Sequence, residues 1–361
     1  MAIVVVTEIA VLRQIKPIHS EKNLAAAVRE TLGNDPDLSW RITRTEDRRN
    51  QADAVIHLKV DGRDYPFLAE YKLKPGFELI SALAHRPTPA NHTWLLVTPR
   101  LSDRLVALCR EASIACLDLN GRTWIRRGPL LIDRAAKSEG DTVIAGLPTP
   151  DLFSPKSSRL VRALLSPRSE WNQADLASQT GISRPLLSRL LDTLSQQGFV
   201  RREGSRRGGK WLVSQPDALL DEWARRDVWT RRVTIQQYSL LLPPERIPLQ
   251  LASALGQARL VFTQWYAAQL RHPYAEAPVI SAYAEKFPDS QVLQSLTARE
   301  VPDGGRLWLL IPKDAGVFQF TQTIGTLTLV SDAQIYLDLL QVGQRGPDAA
   351  EALRHWEQFR R

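Results

Sequence analysis

Between Trp171 and Val213 the chain places two short amphipathic segments on either side of Thr180-Gly181-Ile182-Ser183 and then runs into a basic hairpin. The first segment carries Trp171 to Ala177, and Gly181 stands where two helices meeting at a fixed angle need a residue that accepts positive φ. Ser183 is suited to cap the second helix, with Pro185 in its first turn, where a missing N–H costs little. Leu187, Leu190, Leu191 and Leu194 recur at three- and four-residue spacing and would bury one face. Arg184, Ser188, Arg189 and Asp192 are thereby turned outward.

After Gly198 the sequence alternates through Phe199-Val200-Arg201-Arg202 and turns at Gly204 to Gly209 with Arg206 and Arg207 inside the turn. It returns as Lys210-Trp211-Leu212-Val213, the pattern of a two-stranded hairpin. Helix, glycine turn, leucine-lined helix and arginine-rich hairpin, in that order, read as a winged helix-turn-helix, and double-stranded DNA is the expected partner. Ser183, Arg184, Ser188 and Arg189 are then placed to reach base edges and phosphates, and Arg201, Arg202, Arg206, Arg207 and Lys210 to hold the backbone. The competing interpretation is a helical hairpin with a solvated basic loop.

A length of 361 residues calls for two or three domains, each with its own core. The net charge of +8 favours polyanionic partners without choosing among nucleic acid, acidic protein and anionic membrane. Only Cys109 and Cys116 are present, with no CxxC pair and no HExxH, which argues against a disulfide scaffold or a zinc site and for two buried thiols. Met1-Ala-Ile-Val-Val-Val-Thr7 lacks a basic leader and a long apolar core, and no stretch is long and apolar enough to span a bilayer. The expected location is the cytoplasm and, in a bacterial host, the nucleoid. Gly208-Gly209 and Gly304-Gly305 lack a following Lys-Ser/Thr, so a nucleotide cofactor is unsupported.

The periodicities predict an α/β and α+β multidomain chain. Residues 1–132 read as an α/β domain, with helices at 23–32, 77–84 and 102–111 and strands at 39–43, 54–60, 65–71, 93–97, 115–119 and 123–125. Residues 133–157 collect Gly, Pro and Ser and read as a linker. The winged helix occupies 158–216, opening on a helix at 158–165. A C-terminal α/β domain fills 217–361, with helices near 249–255, through Trp265 and Leu270, and at 347–358, and with strands near 259–262, 279–283, 306–311, 316–321 and 327–330.

Asp61-Gly62 between two strand-like runs is a two-residue hairpin signal. If Val60 pairs with Arg63, Asp53 lies across from Glu70, and Lys72 follows on the same face. Ala54, Ile56, Leu58, Tyr65, Phe67 and Ala69 then form the opposite, core-facing side. Two strand carboxylates can hold Mg²⁺ while a neighbouring lysine orients water or neutralises phosphate charge, so Asp53 and Glu70 are the candidate metal ligands, and Asp53, Glu70 and Lys72 the candidate catalytic set. At Asp53 and Glu70-Tyr71-Lys72 the sequence resembles the PD-(D/E)XK nuclease superfamily, whose αβββαβ core carries an Asp on one strand and Glu-x-Lys on the next. The resemblance covers roughly the first third of the chain and implies a restriction-endonuclease-like fold, with Glu30 as a further acidic contributor by analogy. The bland alternative is an ion-paired sheet edge. Arg44, Arg48 and Arg49 read as a solvated loop in preference to a phosphate guide.

Near the C-terminus, Gln334-Ile335-Tyr336-Leu337-Asp338-Leu339 and Arg345-Gly346-Pro347-Asp348-Ala349-Ala350-Glu351, preceded by Leu310-Ile311-Pro312, resemble the closing segment of AbiEi-type antitoxins of type IV toxin–antitoxin systems. That resemblance covers about the last two-thirds of the chain. It implies a DNA-binding repressor whose C-terminal domain serves regulation, dimerisation to a homodimer, or neutralisation of a cognate toxin protein. The additional α/β domain in front of the winged helix departs from a compact antitoxin. Tyr336, Asp338 and Arg345 read as a strand-to-helix junction held by packing and an ion pair. Two functions stay open, a DNA-binding transcriptional regulator and a Mg²⁺-dependent DNA endonuclease of a mobile-element or defence system targeted by the winged helix. A third, an interaction protein whose basic charge neutralises an acidic toxin, needs no DNA affinity.

Overall fold

The computed structural model describes residues 20–35, 38–43, 52–135, 150–204, 208–255 and 260–361, which form a mixed α/β chain of two compact units, the first comprising 1–149 with 195–198 and the second 150–194 with 199–361. Arg44, Arg48, Arg49, Arg206 and Arg207 lie outside the described residues.

In the first unit α1 (Glu21–Gly33) precedes a seven-stranded sheet whose spatial order follows the chain. Its strands are β1 (Ser39–Thr43), β2 (Ala54–Val60), β3 (Arg63–Tyr71), β4 (Thr93–Thr98), β5 (Ala115–Asp118), β6 (Thr123–Arg127) and β7 (Leu130–Arg134). Asp61 and Gly62 turn the β2–β3 hairpin with φ of 50° and 77°, the pair of positive values that a type I′ turn requires. Val60 accordingly faces Arg63, and Ala54 faces Ala69. Because β3, β4 and β5 run parallel, the chain must cross over twice, and α2 (Phe77–His85) and α3 (Asp103–Glu111) are those crossovers. Strand alternation divides the core. Ile56, Leu58, Phe67 and Ala69 pack on Leu24, Val28 and Leu32 of α1, whereas Leu68, Leu96 and Cys116 pack on Ile80, Leu83, Leu105 and Leu108 of the crossover helices. Periodicity leaves β7 unmarked, since Leu131 is 64% exposed and the strand is short.

The second unit opens with α4 (Ser158–Leu164), β8 (Glu170–Trp171), α5 (Gln173–Thr180), α6 (Arg184–Gln196), β9 (Val200–Glu203), β10 (Lys210–Val213) and α7 (Pro216–Arg226). The Asn172 side chain caps α5 by accepting the Asp175 N–H at 2.7 Å. Gly181 ends that helix in the left-handed region at φ 65°, which lets the chain reverse into α6 within three residues. The wing has a third strand that alternation in the hairpin alone does not disclose: β8 pairs with β10 through Trp171 and Trp211, in the order β8-β10-β9.

The chain continues through α8 (Trp229–Arg232), β11 (Val233–Leu240), α9 (Ile247–Leu255), β12 (Leu260–Thr263), α10 (Gln264–Arg271) and β13 (Ile280–Ala284). Then follow α11 (Ser290–Ser295), β14 (Ala298–Val301), β15 (Leu307–Pro312), β16 (Gln322–Ile324), β17 (Leu327–Leu329), α12 (Asp332–Leu339) and α13 (Gly346–Arg354). Seven of these strands form one sheet in the order β14-β11-β15-β13-β12-β17-β16, parallel at β13 with β15 and at β12 with β17. One hydrophobic cluster runs from Leu160 and Leu187 through Leu219 to Leu309, Ile335 and Leu353, so the winged helix and this sheet share a core.

Two expectations are corrected here. The strand expected at 316–321 is a 3-10 turn at Ala315–Phe318, because the Asp314 side chain accepts the Gly316 N–H at 2.8 Å and closes the backbone into a turn. Gly316 packs so closely that a Cβ there would stand 2.8 Å from Cγ of Arg159. Tyr336 and Asp338 sit within α12 and not at a strand-to-helix junction; all eight residues of that helix are buried, so it shows no amphipathic period.

Candidate nucleic-acid interface

The outward face of α6 follows from the burial of the inward one. Leu187, Leu190, Leu191 and Leu194 are fully buried, and the Leu187 N–H donates to the Ser183 carbonyl at 2.9 Å, which starts the helix there. Ser183, Arg184, Ser188 and Asp192 are exposed on the other side; Arg189 is half-buried and engaged within the fold. Arg184 and the two hydroxyls are thus the groups of this helix that can meet a base edge without breaking an internal contact.

On the wing, Arg201, Arg202 and Lys210 are all exposed. Arg201 donates from Nε to Glu203 at 3.0 Å, and Lys210 pairs with Glu170 at 2.5 Å. The Arg202 guanidinium lies 5.7 Å from the Trp211 ring. Exposed pairs of this kind are worth only about 0.2–1 kcal/mol, so exchanging a carboxylate for a phosphate costs little. Arg168, which the sequence pattern does not mark, stacks 4.3 Å from Trp171 and pairs with Asp175 at 2.5 Å. The Arg168 guanidinium beside Asp175 holds that carboxyl below the usual aspartate range.

A buried polar network lies where the winged helix joins the C-terminal sheet. Arg159 of α4 makes a two-pronged pair with Asp314, Nε to Oδ1 and Nη2 to Oδ2 both at 2.7 Å, and donates from Nη1 to the Thr180 carbonyl at 3.3 Å. Arg232 pairs with Asp227 at 2.8 Å and with Asp338 at 2.6 Å, and donates to the Tyr283 hydroxyl at 2.6 Å. Burial alone would lower the Arg232 pKa, but the surrounding Tyr283, Asp338 and Asp227 outweigh it and hold it above the ordinary value. Burial drives Asp227 upward despite its arginine, and Tyr283 far upward. The signal in the sequence for this network is a single arginine, Arg162, inside the apolar run Leu160 to Leu165.

In the first unit, Asp53 stands just before β2 and accepts the Tyr71 N–H on Oδ2 at 2.7 Å. Glu70 is 6% exposed and lies between two cations, Lys72 at 3.5 Å and Arg86 at 3.1 Å. Lys72 also donates to Glu21 of α1 at 3.0 Å, and this bond and the adjacent acids raise its pKa. Asp53 lines a cavity of about 220 Å³ together with Glu21, Arg29, Thr43 and Tyr71, and Glu70 is not on its wall. Glu30 is exposed on α1 and engaged within the fold. Mg²⁺ needs several free oxygen ligands in near-octahedral array. Here both Glu70 oxygens face cations, and no group of three His, Cys, Asp or Glu side chains is arranged to hold a metal among the described residues. The donor set does not fit a Mg²⁺ centre in this arrangement. Arg86, which the motif does not contain, is what alters it.

Comparison with known families assigns two segments. Residues 166–210 match the MarR family model, and residues 212–359 match the model described as transcriptional regulator, AbiEi antitoxin, Type IV TA system. No curated protein and no solved structure matches the chain. Among the described residues no helix is long and apolar enough to cross a membrane.

Proposed function

We infer that this chain, a DNA-binding transcriptional regulator of AbiEi type, reads double-stranded DNA with Ser183, Arg184 and Ser188 of α6 and clamps the backbone with Arg201, Arg202 and Lys210 of the wing. The observation that carries this assignment is the division of α6 into a fully buried leucine face and an exposed face bearing Arg184, beside an exposed basic hairpin. Arg189, half-buried, contributes to positioning more than to base contact, and Arg206 and Arg207 join the wing set on sequence grounds alone. Enrichment from a random duplex pool tests it. Wild type should select a motif and Arg184→Ala should lose the preference while keeping salt-dependent affinity. No enrichment and no salt-dependent binding by wild type would overturn the assignment.

The N-terminal unit runs helix, three antiparallel strands, helix, strand, which is the order of a PD-(D/E)XK core, with Asp53 before the second strand, Glu70 at the end of the third and Lys72 just after it. We take residues 1–132 as a nuclease-derived scaffold that supplies a second DNA contact. Residues 133–157 are the linker, 158–216 the winged helix, and 217–361 the domain through which a cognate toxin or a second copy is engaged. Supporting a scaffold over an endonuclease is the locking of Glu70 by Lys72 and Arg86. Supercoiled plasmid incubated with Mg²⁺ or Mn²⁺ should therefore stay intact. Metal-dependent nicking that Glu70→Ala abolishes would make the chain a winged-helix-targeted endonuclease instead.

A further inference from the structure

The first unit contains a cavity of about 220 Å³ between α1 and the adjoining ends of β1, β2 and β3, smaller than the ~300–1,000 Å³ of drug-sized sites. Register separates it from the Glu70 cluster. Side chains alternate across a strand, so Tyr71 shares the α1 side of β3 with Phe67 and Ala69, whereas Glu70 falls on the other side with Leu68. The wall accordingly carries Tyr71, and none of Glu70, Lys72 and Arg86.

Tyr71 is 4% exposed, and its backbone N–H is taken by Asp53, but its hydroxyl has no hydrogen-bond partner among the described residues. Buried polar groups are matched as a rule, so a ligand that accepts from this hydroxyl gains a bond that the folded chain leaves unmade. Lys22, Ala25 and Arg29 follow one another at i, i+3 and i+7 and form one stripe of α1 along the same wall, with the small Ala25 leaving room between the two cations. Lys22 and Arg29 are exposed, and among the described residues neither has a carboxylate within 4 Å. Of the lining acids, Glu21 is engaged by Lys72 at 3.0 Å. Asp53 spends Oδ2 on the Tyr71 N–H, and its Oδ1 has no hydrogen-bond partner among the described residues. Two cations and a phenolic donor fit a phosphate, while an open carboxylate oxygen beside them repels a second anionic group and accepts from a hydroxyl.

We propose that this cavity is a site for a phosphorylated sugar, its phosphate held by Arg29, Lys22 and the Tyr71 hydroxyl and a sugar hydroxyl donating to Asp53. The volume suits a sugar phosphate without a base, so a nucleotide or a strand end enters by its phosphorylated end and leaves its base outside. The site is built from α1 and the sheet of the first unit alone and does not depend on the DNA contacts assigned to the winged helix.

Calorimetric titration of the full chain with ribose 5-phosphate, and with ribose and inorganic phosphate as its two halves, tests the site. Ribose 5-phosphate should bind saturably at one per chain, more tightly than inorganic phosphate, and ribose should not bind measurably. Arg29→Ala should weaken it roughly tenfold, as expected for loss of a charge-assisted bond, and Tyr71→Phe roughly three- to tenfold, the worth of one neutral hydrogen bond. Both variants keep the fold, since Arg29 is exposed and Tyr71→Phe retains the buried ring. Asp53→Asn should narrow the gap between ribose 5-phosphate and inorganic phosphate, because it removes a like charge from the phosphate and weakens the acceptor for the sugar. No saturable binding up to roughly 10 mM, ribose binding as tightly as its phosphate, or unchanged affinity in both Arg29→Ala and Tyr71→Phe would overturn the proposal. A 5′-phosphorylated duplex that displaces ribose 5-phosphate where its unphosphorylated twin does not identifies a strand end as the source of the group, and displacement by neither identifies a free sugar phosphate. A chain that binds ribose 5-phosphate and no duplex contradicts the DNA-binding function alone.

Discussion

Arg159 and Asp314 join the first helix of the winged helix to the turn that follows β15, through two parallel hydrogen bonds of 2.7 Å. The same guanidinium reaches the Thr180 carbonyl at the end of α5. One side chain therefore ties the helix-turn-helix to the C-terminal sheet, and the side chains of this pair are only 20% and 16% exposed.

Arg159→Ala leaves Asp314 half-buried and the Thr180 carbonyl without its donor, so it should destabilise the chain by roughly 1–3 kcal/mol. Asp314→Ala also frees the Gly316 N–H and should cost at least as much. Urea unfolding of both single variants and the double variant measures the coupling. Additive losses would mean that the two residues act independently.

Arg184→Ala should lower discrimination between a selected site and scrambled DNA by ~1–3 kcal/mol, the worth of a good base contact. Arg189→Ala should do less, since that side chain is half-buried and already engaged. Replacing Arg201, Arg202 or Lys210 by Ala should weaken binding to every duplex and flatten the salt dependence by about one unit for each phosphate no longer neutralised. Fluorescence anisotropy between roughly 50 and 200 mM salt separates the two behaviours.

Glu70→Ala removes the carboxylate shared by Lys72 and Arg86, which takes the carboxylate partner from Arg86 while Lys72 keeps Glu21. It should destabilise by roughly 2–4 kcal/mol, read as a lower urea midpoint. Stabilisation by Glu70→Ala would instead mark Glu70 as a strained functional carboxylate.

Asp175 titrates below the usual aspartate range because Arg168 holds its charged form. Its folded pKa is lower than its unfolded one, so its contribution is present above about pH 4 and is lost as pH falls through the depressed value. The stability gap between wild type and Asp175→Asn should be largest near neutrality and close in acid, a trend that unfolding curves over about pH 3 to 7 would reveal. A gap independent of pH would show that the charge does not matter.

Local rules carried much of the fold. The type I′ turn at Asp61-Gly62 set the β2–β3 register, the leucine spacing of α6 identified its buried face, and Gly181 marked where α5 ends. These features depend on residues near one another in sequence, where a period or a positive φ leaves a visible trace. β11, α12 and the 3-10 turn at Ala315–Phe318 escaped for the opposite reason. β11 mixes exposed and buried positions irregularly, α12 is buried all round, and the 3-10 turn is closed by one side-chain bond.

The candidate sites divide in the same way. Composition and pattern by themselves determined that a basic wing and an arginine-bearing helix face water, because a leucine stripe that must be buried leaves its opposite face outside. Which charges are free to act was decided only in three dimensions. Arg86 reaches Glu70 across 16 positions, Arg159 reaches Asp314 across 155, and Arg162 reaches Gln334 across 172. Ion pairing and desolvation depend on distance in space and on the surrounding dielectric, and neither quantity is written in the local order of residues.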